Sequence, residues 1–271
     1  MRRDIRGLDH VVILVRDLDR AHDTWQRLGF TLTPRGYHSL GSQNHCIMFG
    51  RDYLELMALP KPHPAFQYFA DFLARGQGVG AIALATDDAG AAYAEITQAG
   101  IAAESPLALS RPVKDLGEAR FSLVQLPPAQ TPGFRMFICQ HHTREIVWRP
   151  EYQSHALGAT EIAGIAVVAE DASRYAEVFG DKPRQTEEGL LIETGSAPIL
   201  VSGVGRICRR LEGVNLPTLA PPFVAALFIR VADRAGAAAA LRKGGFSPLA
   251  LKDGSYAIGA DQANGVALVF G

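Results

Sequence analysis

A strand–Asp–helix–Gly pattern occurs four times in this chain and limits the folds open to it more than any other feature. In each copy an apolar, strand-like run ends at an Asp, a helix-like stretch follows, and a Gly closes the copy. The four apolar runs begin at His10, Ala81, Ile165 and Leu227. Self-similarity at this spacing is typical of folds that use one supersecondary unit several times. We therefore expect four copies of one module.

The first copy shows the local chemistry that the module needs. Asp17 can accept hydrogen bonds from the free amides of a first helical turn. Leu18, Ala21 and Trp25 then fall on one helical face. Gly29 can adopt the left-handed conformation that ends a helix. Further strand-like runs follow the helix in every copy, so each module is predicted to be β-α-β-β-β.

A single module of this kind exposes an apolar sheet face and needs a partner to cover it. The sequence therefore predicts an α+β fold, in which four βαβββ modules pair into two curved mixed-sheet half-barrels with helices outside and a cleft inside. We expect residues 1–145 to form the N-terminal pair of modules and residues 146–271 to form a degenerate C-terminal pair. The polar stretch 142–160 is the predicted connector.

Composition excludes several classes of partner. The net charge of −1 does not favour nucleic acid, and no run approaches the roughly 20 apolar residues of a membrane span. The charged N-terminal segment does not resemble a signal peptide, and three widely spaced cysteines fit a reducing compartment. We expect a cytoplasmic protein that binds a small-molecule substrate and neither nucleic acid nor membrane. A homodimer formed through sheet edges is one expectation for its assembly.

Several motifs together resemble the vicinal oxygen chelate superfamily and, within it, the glyoxalase-like domain proteins. They are the run Leu8–Asp17, the helix end Trp25–Phe30, His38–Asn44, Tyr53–Leu56, Gln140–His142 and Trp148–Tyr152. The resemblance is strong over about residues 7–160 and rests on the repeat pattern alone beyond them. The superfamily includes lyases, isomerases, dioxygenases, thiol transferases and antibiotic-sequestering binders. The resemblance therefore implies the architecture more closely than the reaction.

The resemblance implies metal ligands on the first and fourth strands of a module, where this chain has His10 and Glu55. Strand alternation places His10 on the face of Val12 and Leu14 and opposite Asp9. An imidazole and a carboxylate on one inner face would be costly to bury without a partner. A divalent metal would satisfy both groups. The alternative is a His–Glu hydrogen bond in a polar cleft without metal.

The second module departs from the family pattern. Strand alignment puts Gly80 where another first-strand ligand would lie, and it puts Cys139 opposite Glu55. His141 follows two residues later and is the predicted third ligand, with His142 or water as alternatives. Two His and one Glu suit one divalent ion, Fe(II), Zn(II) or Mn(II), with positions open for substrate.

Other side chains are candidates for substrate binding and proton transfer. His38 and Asn44 flank a glycine-containing turn, where they could hydrogen-bond a substrate, and His38 or Glu55 could carry a proton. Arg135 could pair with a substrate carboxylate, and its alternative is an exposed charge at the start of a strand. Cys139 is assigned to the substrate-binding surface, with a small buried side chain as its alternative.

The leading hypothesis is a metal-dependent enzyme of the glyoxalase/dioxygenase type that chelates a small oxygen-bearing substrate, with lyase, isomerase or dioxygenase chemistry left open. The alternative is a non-catalytic protein of the same fold that binds or sequesters a small molecule. The later modules are predicted to lack the site, because no His follows His155. A purely structural module would not require His10 and Glu55 to face one cleft.

Overall fold

The computed structural model describes residues 2–180 and 183–271 and contains two eight-stranded mixed sheets. The elements of the first sheet and its helices are β1 (Leu8–Leu14), α1 (Leu18–Arg27), β2 (Gly36–Tyr37), β3 (Gln43–Met48), β4 (Tyr53–Ala58), α2 (Gln67–Arg75), β5 (Gly78–Thr86), α3 (Ala89–Gln98), β6 (Leu107–Val113), β7 (Gly117–Gln125), β8 (Arg135–His141) and α4 (Arg144–Val147). Those of the second are β9 (Ala159–Val168), α5 (Ser173–Phe179), β10 (Arg184–Gln185), β11 (Leu190–Ile192), β12 (Ile199–Ser202), α6 (Val204–Arg210), β13 (Phe223–Val231), α7 (Arg234–Lys243), β14 (Leu249–Ala250), β15 (Tyr256–Ile258) and β16 (Ala267–Phe270).

The strand order shows two modules paired in each sheet. It is β2-β3-β4-β1-β5-β8-β7-β6 in the first sheet and β10-β11-β12-β9-β13-β16-β15-β14 in the second. In each module the first strand runs parallel to the last, and the two modules join through antiparallel first strands. The edge strands β2 and β6 contact each other, so the first sheet curls into a nearly closed barrel. The predicted α+β fold of four paired βαβββ modules is confirmed.

Aspartates start the helices, as the repeat pattern predicts. Asp17, Asp88 and Asp233 accept hydrogen bonds from amides of the first turn of α1, α3 and α7. In the third module Asp171 accepts from the amide of Ser173, one residue before the cap position. Helix α5 is 7 residues long against 10 for α1, a difference of about one turn.

The outer faces of both sheets share one hydrophobic core with the helices. Val11 and Ile13 of β1 lie in this core, as does Trp25 of α1, whose indole Nε1 donates to Asn264 Oδ1 at 3.0 Å. The connector is held to the first module by His155, whose Nε2 lies 2.9 Å from the Met48 carbonyl oxygen. The division into residues 1–145 and 146–271 stays a prediction.

Six elements were not located in the sequence, namely α2, β6, α4, β10, α6 and β14. Helix α2 follows a proline-rich loop, whose residues do not favour a helix or strand. The helix is only 9 residues long, so its apolar pattern covers few turns. It nevertheless matters for the site, because Phe69 and Tyr68 line the cavity described below. Within residues 2–180 and 183–271, no helix combines the length and apolar character needed to cross a membrane.

Candidate functional site

An open cavity lies inside the curved first sheet, on the face opposite α1 and α3, and α2 contributes to its wall. Its walls are largely apolar and include Val12, Met57, Phe69 and Phe137. Its polar side chains gather around Glu55 on one wall. An apolar cavity with a few convergent polar groups is the usual form of a small-molecule site.

His10 and Glu55 face each other across neighbouring parallel strands. Strand β1 pairs with β4 so that both side chains point into the cavity, and His10 Nε2 lies 3.6 Å from Glu55 Oε2. Asn44 Nδ2 donates to Glu55 Oε1 at 2.6 Å, and His38 Nε2 lies 3.8 Å from the same oxygen. The structure therefore brings together four of the residues singled out from the sequence. Both His10 and Glu55 are buried.

Asp9 belongs to this site, although the sequence analysis placed it on the other face of the strand. A bulge interrupts the pairing of β1 with β5, since Leu8 pairs with Leu84 and His10 pairs with Ala83. Asp9 is the extra residue and turns inward, so that its Oδ1 lies 2.6 Å from His10 Nδ1. The expectation that Asp9 faces away from His10 is wrong for this reason.

His141 contacts Asp9 and is not among the residues that line the cavity. Its Nε2 is 3.0 Å from Asp9 Oδ1, and its ring packs edge-on against Phe121 and Trp148. Within the described ranges, its buried Nδ1 has no hydrogen-bond partner, and no ion-pair contact joins it to Glu55. One ligand atom each from Asp9, His10 and His141 lie within 4.8 Å of one another. The structure thus joins His141 to His10 through Asp9, and its role as a metal ligand stays a prediction.

Burial and charge set the protonation of this group. Burial by itself would raise the pKa of Asp9, but the charge of His141 and the hydrogen bonds from His10 and His141 lower it below the usual range of a carboxyl. Burial lowers the pKa of His38, although the Glu55 charge acts in the opposite direction. Asp9 is therefore a carboxylate and His38 a neutral imidazole near pH 7.

The position that matches His10 in the second module is Ala81. Asp88 and not Asp87 accepts the first-turn hydrogen bonds of α3. This cap lies seven residues after Ala81, as Asp17 lies after His10 in the first module. The alignment of Gly80 with His10 is therefore wrong by one residue.

The position that matches Glu55 is Phe137. Glu55 pairs with Val12, and the equivalent pair in the second module is Ala83 with Phe137. Cys139, which the sequence alignment placed opposite Glu55, lies two residues further along β8. It lines the cavity, and burial raises the pKa of its thiol well above the ordinary value. The second module thus offers apolar side chains at both positions where the family pattern has ligands.

Arg135 also reaches the cavity, at the start of β8. It is half-buried, its Nη2 donates to Gln125 Oε1 at 2.8 Å, and its guanidinium lies 5.5 Å from the centre of the Tyr68 ring. Burial lowers its pKa from the ordinary value. The Arg135 side chain therefore lies at the cavity wall and contacts Gln125 and Tyr68.

Paired βαβββ modules, with an imidazole and a carboxylate on the first and fourth strands of the leading module, define a member of the vicinal oxygen chelate superfamily. The family model described as a glyoxalase-like domain matches residues 8–182. That match covers more than half of the chain, and the protein belongs to the glyoxalase-like domain family. A search of curated proteins found no match to the sequence.

Two of the similar solved structures share the fold over nearly the whole chain. A hypothetical protein from Staphylococcus aureus is 14% identical with a TM-score of 0.65, over 97% of this chain and 98% of that chain. A mutant of 4-hydroxymandelate synthase from Streptomyces coelicolor is 13% identical with a TM-score of 0.60, over 98% of this chain and 92% of that chain. Methylmalonyl-CoA epimerase from Mycobacterium tuberculosis is 22% identical with a TM-score of 0.42, over 52% of this chain and 91% of that chain.

Proposed function

We propose that this protein is a metal-dependent enzyme that holds one divalent ion, Fe, Zn or Mn, at His10 and Glu55. It acts on a small oxygen-bearing organic substrate by lyase, isomerase or dioxygenase chemistry. The observation that supports this proposal is the buried pair of His10 Nε2 and Glu55 Oε2, 3.6 Å apart at the cavity wall.

The donor set fits such an ion. Two ligand atoms that each lie about 2.1 Å from an ion are at most about 4.2 Å apart, so the observed 3.6 Å separation of His10 Nε2 and Glu55 Oε2 is compatible with both as ligands. Asp9 accepts from His10 Nδ1, which is how carboxylates orient metal-binding imidazoles. With the proton of His10 on Nδ1, the lone pair on Nε2 points towards Glu55. Without a cation or proton between them, two acceptors would face each other in a buried site.

The bound ion would supply Lewis-acid stabilisation of an enolate or oxyanion. The chain's own residues then have separate roles. Asn44 fixes one oxygen of Glu55 by donating to it at 2.6 Å. His38, whose Nδ1 lies 2.8 Å from Ser42 Oγ, presents its Nε2 towards Glu55 and the cavity, where it can accept or return a proton.

The first test is the metal content of protein purified without oxygen. We expect about one ion per chain in the wild type, and a loss of at least about ten-fold in His10→Ala and in Glu55→Ala, because each variant removes one ligand of the ion. Elemental analysis measures this content. The exposed His63→Ala, which removes an imidazole outside the proposed ligand set, should retain the metal. A wild type without stoichiometric metal would end the proposal.

A non-catalytic, small-molecule-binding protein is the second candidate, and one observation favours it. Ala81 and Phe137 occupy the ligand positions of the second module. At most half of the ligands that two paired modules could supply therefore remain. For such a protein, His10→Ala and Glu55→Ala would leave ligand binding intact. Assembly as a homodimer stays a prediction.

Asp9 gives a second test of the metal site. Replacing it with Asn should weaken metal binding about 10- to 100-fold, because an amide cannot hold the imidazole N–H of His10 as a carboxylate does. Competition with a chelator of known affinity measures the change. Asp52→Asn, which alters a buried carboxylate elsewhere, is the control and should keep the wild-type affinity. An unchanged affinity in Asp9→Asn would show that Asp9 does not orient a metal ligand.

A further inference from the structure

Arg111 is a buried guanidinium that faces the cavity. It lies on the edge strand β6, and 9% of its surface is exposed. Among residues 2–180 and 183–271, no group accepts a hydrogen bond from its side chain, and no carboxylate oxygen lies within 4.0 Å of its nitrogens. Its nitrogens are not among the fully enclosed atoms and are open to the cavity, where a largely desolvated cation without a close counter-charge favours an anion. The chain therefore keeps a cation in the cavity wall that its own described residues do not neutralise.

The guanidinium belongs to the group around Glu55. Strands β2 and β6 meet at the seam of the barrel, and Gly36 of β2 lies between Asn44 and Arg111. A Cβ atom at Gly36 would lie 2.2 Å from Asn44 Oδ1 and 3.2 Å from Arg111 Nη1. The absence of a side chain at Gly36 therefore lets Asn44 reach Glu55 while Arg111 stays close to the same cluster.

Arg111 differs from Arg135, the cationic residue that the sequence singled out. Arg135 already donates to Gln125 and lies over the Tyr68 ring. A cation that has such partners needs a ligand less than one that has none. The anion-binding role predicted for Arg135 is therefore better filled by Arg111.

The surroundings of Arg111 indicate the rest of the ligand. Leu109, Phe121 and Leu123 line the same part of the barrel, on β6 and β7. Their apolar surface suits a hydrocarbon or aromatic body. One guanidinium balances one negative charge and matches the two oxygens of a carboxylate. A phosphate carries more charge than this single cation would neutralise.

We propose that Arg111 binds the carboxylate of an apolar organic acid, and that such acids are the substrate class of this cavity. That these acids are substrates rests on the proposed function. Their binding depends on Arg111 alone. The guanidinium anchors the carboxylate end, and the apolar wall takes the body of the acid. The oxygen-bearing part of the molecule is thereby directed towards His10 and Glu55.

The experiment compares acids with their neutral amides by calorimetry. The probes are hydrocinnamate with hydrocinnamamide and octanoate with octanamide, added to the full-length protein with and without its metal. We expect the wild type to bind each acid about ten-fold or more tightly than its amide in both states. In Arg111→Gln the ratio should fall to about one, while amide binding and metal content stay unchanged. Arg111→Lys should keep part of the preference, because the charge remains.

Controls separate this inference from the proposed function. Arg20→Gln, at a side chain that is 89% exposed, should keep the full acid preference. If the preference survives in Arg111→Gln but disappears in metal-free His10→Ala, the ion binds the carboxylate and the role of Arg111 is refuted while the metal site stands. Equal binding of acid and amide by the wild type, or binding of neither, also refutes it. Loss of the preference in Arg111→Gln supports it whether or not metal is present.

Discussion

Asp52→Asn should raise the free energy of unfolding at pH 8 by about 2 to 4 kcal/mol relative to the wild type, with little difference near pH 4. Asp52 is fully buried, and its Oδ1 accepts from the amide of Ile162 at 3.0 Å. Its Oδ2 has no hydrogen-bond partner in the described part of the chain. Asn would keep the acceptor for Ile162 without carrying a charge.

The sign follows from the pKa of this carboxyl in the two states. Burial raises the pKa of Asp52 to about 7 in the folded protein, outweighing the Ile162 amide and Arg51, which lower it, while Glu161 raises it further. The unfolded value is 3.8. Between these values the folded state holds a proton that the unfolded state has released. The contribution of Asp52 to the free energy of unfolding is therefore largest below about pH 4, falls as the pH rises, and levels off above about pH 7.

Urea unfolding at a series of pH values measures this difference. The exposed Asp115→Asn is the matched control and should leave the pH dependence of the wild type unchanged. Parallel curves for the wild type and Asp52→Asn across this pH range would show that Asp52 is ionised in the fold at little cost.

Gly265→Ala should lower the free energy of unfolding by about 3 kcal/mol or more. Gly265 has a φ of +83°, and a Cβ atom there would lie 2.1 Å from the carbonyl oxygen of Gln77. The opposing Gly78 has a φ of +135°, and its Cβ would lie 2.5 Å from the carbonyl oxygen of Gly265. The backbone at the start of β5 therefore touches the turn that precedes β16, and the close atoms on both sides are backbone atoms.

Gly100→Ala separates the two causes of strain. Gly100 has a φ of +80° but no atom within 4 Å of the position of a Cβ, so its replacement should cost only about 1 to 2 kcal/mol. Urea midpoints of the two variants and the wild type give the comparison. Equal losses in Gly265→Ala and Gly100→Ala would mean that the close backbone contact at Gly265 adds nothing.

The fold was largely predictable because its signals are local. Strand alternation, the capping aspartates and the closing glycines each act within a few residues of the chain, so the repeat could be read directly. The pairing of His10 with Glu55 was predictable from the resemblance to the glyoxalase-like domain proteins, which implies ligands on the first and fourth strands, and strand alternation agrees with it. His38 and Asn44 were predicted to bind substrate in the cleft, and their contacts with Glu55 were not predicted.

The remainder of the site could not be read from local patterns. The bulge that brings Asp9 beside His10 arises from the pairing of β1 with a strand some seventy residues later. Arg111 lies near Glu55 because β6 meets β2, a contact that forms only when the sheet curls into a barrel. Strand β6 itself was not predicted from the sequence. His141 reaches Asp9 through the register of β8.

The sequence by itself determined the four modules, their helix caps and the inward-facing imidazole and carboxylate of the first module. Only the tertiary structure decided which residues share a surface with that pair. The physical reason is that backbone propensities and side-chain periodicity act between near neighbours. Bulges, strand register and the closure of a sheet depend on contacts between segments that are far apart in the chain, and a shift of one residue changes the face on which a side chain lies.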